Sequence, residues 1–158
     1  MSSILLCGPE IEPVSLDEAK AFLRVDHSDD DDLIAALVVG SRIHVETQTR
    51  RALVTQSWRI SADAWPGDGR MAIRPGPLQE LTAARVYDIN GAASAIDIQA
   101  FVPDRGASVV NFAPWAVPLP GRIAAGIELD VTVGYGDAAT DVPEPLRRGD
   151  PPSDRPLV

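Results

Sequence analysis

The stretch "VDHSDDDDLIAALVVGSRIHVETQTRRAL", Val25 to Leu53, decides how the chain is read. Five aspartates and one histidine stand in its first eight residues, and an apolar run follows. A calcium loop of the EF-hand kind needs alternating oxygen ligands, a glycine at its sixth position and a glutamate at its twelfth. Counted from Asp26, those positions hold Asp31 and Leu37, so the loop fails at both. A helix start accounts for the run. Ser28 or Asp29 is placed to cap, and Asp30, Asp31 and Asp32 fall in the first turn, where negative charge meets the positive end of the helix dipole. This helix is expected from about Asp30 to Arg51. Leu33, Leu37, Gly40 and His44 share one stripe of it, and Ile34, Val38, Ser41 and Val45 share the next. Arg50 and Arg51 complement its negative end.

Upstream, "EPVSLDEAKAFLRV" predicts a shorter helix. Ser15 and Glu18 stand at capping-box spacing, and Pro13 prevents extension backward. Leu16, Ala19, Phe22 and Leu23 make an apolar stripe. Downstream, the period changes from helical to alternating. Val54, Gln56, Trp58 and Ile60 alternate with Leu53, Thr55, Ser57 and Arg59, as in a strand. "GRMAIRPGPL" predicts a short strand and a Pro-Gly turn. "LTAARVYDINGAASAIDIQAFV" predicts a hairpin in which Asn90-Gly91 supplies positive φ. "SVVNFAPWAVPLP" predicts an edge strand entering a proline-rich loop. In "IELDVTVGYG", Ile127, Leu129, Val131 and Val133 point one way and Glu128, Asp130 and Thr132 the other. Two helices followed by strands give an α+β fold. The expectation is one domain over 1–148, with helices at about 15–51, a β-rich part of antiparallel strands at about 53–136, and a flexible C-terminal extended tail at 149–158.

Composition narrows the function. With 158 residues, 45% of them apolar, the chain can bury a core without staples. A net charge of −9 argues against nonspecific nucleic-acid binding, which needs basic surface. It suits a wall that DNA slides past. The lone Cys7 leaves no internal disulfide. The patch "SILLC" is too short for a signal sequence, and no apolar run reaches membrane-spanning length.

Catalytic patterns are missing. His27 and His44 are the only histidines and both fall in or beside the helical segment, so neither a histidine-rich metal site nor a Ser-His or Cys-His arrangement stands out. There is no "GxSxG" elbow, and "GYGDAAT" lacks the Lys-Ser/Thr ending of a phosphate loop. Trp58, Trp65 and Trp115 would serve a sugar-binding platform if exposed side by side. "RGD" at 148–150 is a three-residue match of little weight. Two other readings stay open on residues alone: a carbohydrate- or protein-binding β-rich module, and a hydrolase working with acidic residues.

The order of features resembles the head–tail connector, or portal adaptor, proteins of tailed phages and gene transfer agents. The resemblance rests on Pro13 to Val25, the acidic helix start at Asp29 to Ile34, Glu46 to Arg50, and "L-x-x-Q-x-W" at Leu53 to Trp58. It extends to about residue 148. It implies a structural subunit, not an enzyme and without cofactor, in a small helical bundle with a β-rich insertion. It implies a ring of copies, commonly twelvefold, at the head–tail junction of a particle assembled in the bacterial cytoplasm. The implied partners are the portal protein, a tail-side stopper or head-closure protein, and other copies of itself, with DNA passing through the channel. Family members usually continue after "VPEPLRR" into another apolar helix, and here "GDPPSDRPLV" follows instead. The residues expected at partner interfaces are Asp29, Asp30, Asp31, Asp32, Arg50, Arg51, Pro145, Leu146, Arg147 and Arg148.

Overall fold

The computed structural model describes residues 1–148; the tail expected at 149–158 lies outside the described residues. The fold is α+β with antiparallel sheets. Ser15 caps α1 (Leu16–Leu23) through a full capping box: its side chain accepts from the Glu18 N–H, and Glu18 accepts from the Ser15 N–H. The helix ends where Arg24 turns left-handed, with φ 57°. The acidic run does start a helix, α2 (Asp31–Thr49). No side chain caps it, however. Asp30 occupies the cap position without a side-chain bond, and the Ser28 carbonyl, not its hydroxyl, accepts from the Asp31 N–H. Lys20 reaches Asp31 at 2.6 Å and ties the end of α1 to the start of α2.

Seven more strands follow an N-terminal one. They are β1 (Ser2–Cys7), β2 (Gln56–Ala62), β3 (Arg70–Ala72), β4 (Leu78–Tyr87), β5 (Ala93–Ile96), β6 (Phe101–Asp104), β7 (Val109–Phe112) and β8 (Ile127–Val133). One sheet has the order β1-β2-β8-β4-β5 and the other β3-β7-β6. The central strand is β8, the strand whose alternation is strictest in the sequence. Its Ile127, Leu129, Val131 and Val133 are fully buried and pack with Ile60, Leu81 and Ala84 on one sheet and Met71, Val110, Phe101 and Phe112 on the other. Trp65 closes this core, its ring centroid 4.9 Å from that of Phe112. A smaller cluster of Leu53, Val54, Val142 and Leu146 joins the sheets to the end of α2 through Val45 and to the short helix α3 (Glu144–Arg147). Gly134 must be glycine: its φ is +127° and a Cβ would sit 2.6 Å from the Val54 carbonyl oxygen.

Four sequence expectations need correction. The helices do not precede every strand: "SILLC" lies in edge strand β1, drawn into pairing by β2, which leaves it a free antiparallel edge. Strand β7 is not an edge but central in its sheet, because both β3 and β6 pair with it. In the β4–β5 loop only Gly91 has positive φ; Asn90 does not, and the Asp88 carboxylate holds the loop by accepting from the N–H groups of Asn90 and Ala92. The helical stripes are the largest difference. α1 buries none of its residues, and α2 buries Ile34 alone.

Core and helix face should therefore respond oppositely to truncation. Leu129→Ala should cost about 2–5 kcal/mol through the cavity it leaves. Phe22→Ala should stay within about 0.5 kcal/mol. Urea denaturation of both variants checks the contrast.

Candidate assembly interface

The joint between helices and sheets is built from the same residues that carry the resemblance. Glu46, one turn from the end of α2, is 13% exposed. Its Oε1 accepts from the Leu53 N–H at 2.9 Å and the Gln56 Nε2 at 2.6 Å. Its Oε2 accepts from Arg42 Nη1 at 2.8 Å. Arg42 in turn donates through Nε to Glu12, and Gln56 accepts from the Trp58 indole N–H. Burial opposes the charge on Arg42, but the hydrogen bond to Glu12 and the fields of Glu46 and Glu12 outweigh it, so its acidity falls below that of free arginine. The chain thus uses one carboxylate to fix a helix end, a turn and a strand start.

A second polar cluster lies on the outer face of the larger sheet. Asp130 accepts from Arg59 at 2.7 and 3.0 Å and from Arg85 at 2.7 Å. Tyr87 donates to Glu128, which both arginines flank. The Arg59 hydrogen bond, followed by that from Arg85, overcomes desolvation and holds the Asp130 carboxyl at about 2. A third contact closes the helical end: Arg147 donates to the Pro13 carbonyl at 3.0 Å and to Glu18 at 2.8 Å.

The residues expected at interfaces are scattered. Asp29 and Asp30 are exposed, with His27 about 4 Å from each, and Asp32 is exposed; Asp31 is engaged by Lys20. Arg50 and Arg51 lie at the other end of α2, about 28 Å away at 1.5 Å per residue, so they cannot be counter-charges to the aspartates of the same copy. Arg50 is the left-handed C-cap, and Arg51 donates to the Tyr135 hydroxyl at 2.7 Å. Pro145 and Leu146 lie in α3, where Leu146 is buried; Arg147 is committed to Pro13 and Glu18, and Arg148 is exposed. Among the described residues no group of three or more His, Cys, Asp or Glu side chains is placed to hold a metal ion. The tryptophans form no platform: Trp65 packs into the core while Trp115 stands 89% exposed.

What sequence reasoning missed is the hairpin surface. Phe22 is 87% exposed, Leu33 61% and Leu37 56%, and Leu23 and Ile43 are exposed as well. The signal was the stripe itself, read as packing when none of the described residues covers it. Gly40, on the same stripe, faces open space.

Two outcomes follow from these clusters. Glu46→Ala should destabilise by about 2 kcal/mol, because it leaves the Leu53 N–H and the Gln56 amide without their acceptor and takes from Arg42 one of its two carboxylate partners, measurable by urea denaturation. Asp130 has a depressed folded pKa, so its stabilisation is complete above the unfolded value of 3.8 and is lost as pH falls toward about 2. The size is about 2 kcal/mol. Asp130→Asn should flatten that part of the acid denaturation curve.

Comparison with known proteins follows the same geometry. Residues 13–81 match the family model described as "Phage gp6-like head-tail connector protein". A comparison with curated proteins returned no match. Among solved structures, a chain from "Neck of empty GTA particle computed with C6 symmetry" superposes with a TM-score of 0.74 at 21% identity, over 90% of this chain and 76% of that one. A chain from "Virion of native gene transfer agent (GTA) particle" gives 0.71 at 22% identity, over 90% and 76%. A chain from "Neck of native GTA particle computed with C12 symmetry" gives 0.63 at 21%, over 90% and 75%. At these identities the structures establish a shared fold. The sequence match runs from the Pro13 anchor through α1, α2 and the Glu46 joint into β4, and over those residues the chain is similar to the head–tail connector family.

Proposed function

We propose that this protein is the head–tail connector subunit of a tailed phage or gene transfer agent particle. Copies form a ring, twelvefold, beneath the portal; the ring extends the DNA channel and receives a tail-side stopper or head-closure protein. It works by shape and copy number, without catalysis. The observation that carries this reading is the bare apolar face of the α1–α2 hairpin, with Phe22, Leu33 and Leu37 more than half exposed. A monomer that stays alone does not present such a face; an assembly part does. The net charge of −9 fits a channel wall that repels DNA.

Portal docking is assigned to the hairpin face and to the chain from Pro145 onward. Leu146 and Arg147 are held inside the subunit, whereas Pro145 and Arg148 are exposed, Arg148 paired with Glu144 at 2.7 Å on the surface. The acidic start of α2, Asp29 to Asp32, and Arg50 with Arg51 are assigned to contacts between copies, since they sit at opposite ends of one helix. Each contact is weak alone and becomes strong when many copies engage together.

Electron microscopy of the protein mixed with its cognate portal should show rings or portal-bound density. Bare portals at saturating protein would end this reading. Leu37→Asp should lower portal binding at least tenfold, since each subunit in the ring repeats the defect, while the melting temperature stays near that of the unaltered protein.

A further inference from the structure

The end of the molecule farthest from the helices carries a second apolar surface that the hairpin face does not explain. The loop from Pro114 to Gly126 projects Trp115, Leu119 and Ile123, which are 89, 83 and 96% exposed. It is not a loose loop. Trp65 Nε1 donates to the Pro118 carbonyl, the Gly121 N–H donates to the Tyr87 carbonyl, and the Ala125 N–H donates to Asp63. A backbone pinned at three places holds its apolar tips in water at full desolvation benefit to whatever covers them.

A cleft of matching character lies at the opposite end. It is walled by Ile11, Val14, Leu16, Ala35, Val38 and Val39, with a volume of about 460 Å³. On the helical wheel, Ala35, Val38 and Val39 fall on the side of α2 away from Leu33 and Leu37, so the cleft is separate from the hairpin face. The two sites sit beyond opposite ends of β2 and β8. Asp63, which holds the loop, follows the last residue of β2, and Ala139, at the cleft, follows β8. Seven strand residues put about 20 Å between those ends, so a loop cannot fill the cleft of its own copy.

We infer that the Trp115–Ile123 loop of one copy inserts into the Ile11–Val39 cleft of the next. This rests on the ring reading above and specifies one of its contacts. Charge agrees with it. Between Pro114 and Gly126 the only charged residue is Arg122, exposed and stacked 5.1 Å from the Tyr87 ring centroid. At the cleft Glu12 and Glu18 are already paired with Arg42 and Arg147, and the exposed Glu10 and Asp17 beside them supply the negative charge that faces an incoming Arg122. A protrusion and a recess at opposite ends of one chain make a head-to-tail contact, and such a contact either closes a ring or grows a filament.

The test uses full-length protein with Cys7→Ser, assembled on portal, and a short bismaleimide crosslinker. A double variant, Leu119→Cys with Val38→Cys, should give a ladder of crosslinked multimers. A mixture of the two single variants should give dimers and nothing larger, because each pair then holds one reactive junction. Ala35→Arg, at an exposed position in the cleft, should abolish the crosslinks with circular dichroism and melting unchanged. Rings on the portal without crosslinks would overturn the loop–cleft contact and leave the ring reading standing. Absence of both rings and crosslinks would overturn both. Loss of binding to the tail-side protein by Trp115→Ser, with rings intact and no crosslinks, would assign the loop to that protein and also overturn the contact.

Discussion

The Glu46 carboxylate is the constraint on which the rest of the architecture depends. A turn between a helix and a strand leaves polar groups that need partners, and at this joint the half-buried Glu46 carboxylate takes the Leu53 backbone N–H and the Gln56 side-chain amide. Because Oε1 serves Leu53 and Gln56 while Oε2 takes Arg42, the direction of α2 relative to β2 is fixed by a planar group with little freedom. Arg42 passes the constraint to Glu12, and thereby to the segment that leads into α1. Arg147 adds a second link from α3 back to the α1 capping box. The helical hairpin is held to the sheets mainly at these polar ties and the small Leu53–Val54–Val142–Leu146 cluster. It is oriented firmly at its base and left uncovered along its length.

Local chemistry was legible wherever a few neighbouring residues decide the outcome. The α1 capping box is complete within four residues, and its hydrogen bonds form as the spacing requires. Strand β8 announces itself because burial on one face imposes a period of two, and its four apolar residues are all in the core. Failures came where a distant partner decides. Nothing in "SILLC" says that β2 has a free edge to offer, and nothing in "SVVNF" says that strands lie on both sides of it. The Asn90-Gly91 turn was misread for a subtler reason: the Asp88 side chain satisfies two backbone donors, which permits a longer loop in which one residue, not two, needs positive φ.

The acidic run illustrates the limit of reading sites from charge. It does begin a helix, but the run is not uniform in role. Asp31 pairs with Lys20, whereas Asp29, Asp30 and Asp32 face water. The motif positions Glu46, Gln56 and Trp58 were visible as a pattern, yet their role is unreadable without coordinates, because Gln56 is buried only once α2 and β2 have docked. Surface aspartates drew attention by number; the structurally decisive acids are Glu46, bonded to Arg42, and Asp130, held between Arg59 and Arg85.

The division between a closed sandwich and an open hairpin has a physical consequence for assembly. Two sheets sharing a core from Ile60 to Phe112 supply the subunit's own stability, so the helices need not bury their apolar stripes to keep the chain folded. Surface left bare in this way contributes its full hydrophobic gain at the moment of docking, about 25 cal/mol for each Å² covered. A face satisfied within the monomer would have nothing left to give. Since association also costs translational and rotational freedom, a single hairpin contact remains modest. A rigid mounting offsets part of that cost, because the Glu46 joint and the Arg147 link have already fixed the angle at which the face is presented. In the proposed ring, repetition would then multiply a modest contact into a stable one, so that the same surface could be exposed in the free subunit and secure in the assembly.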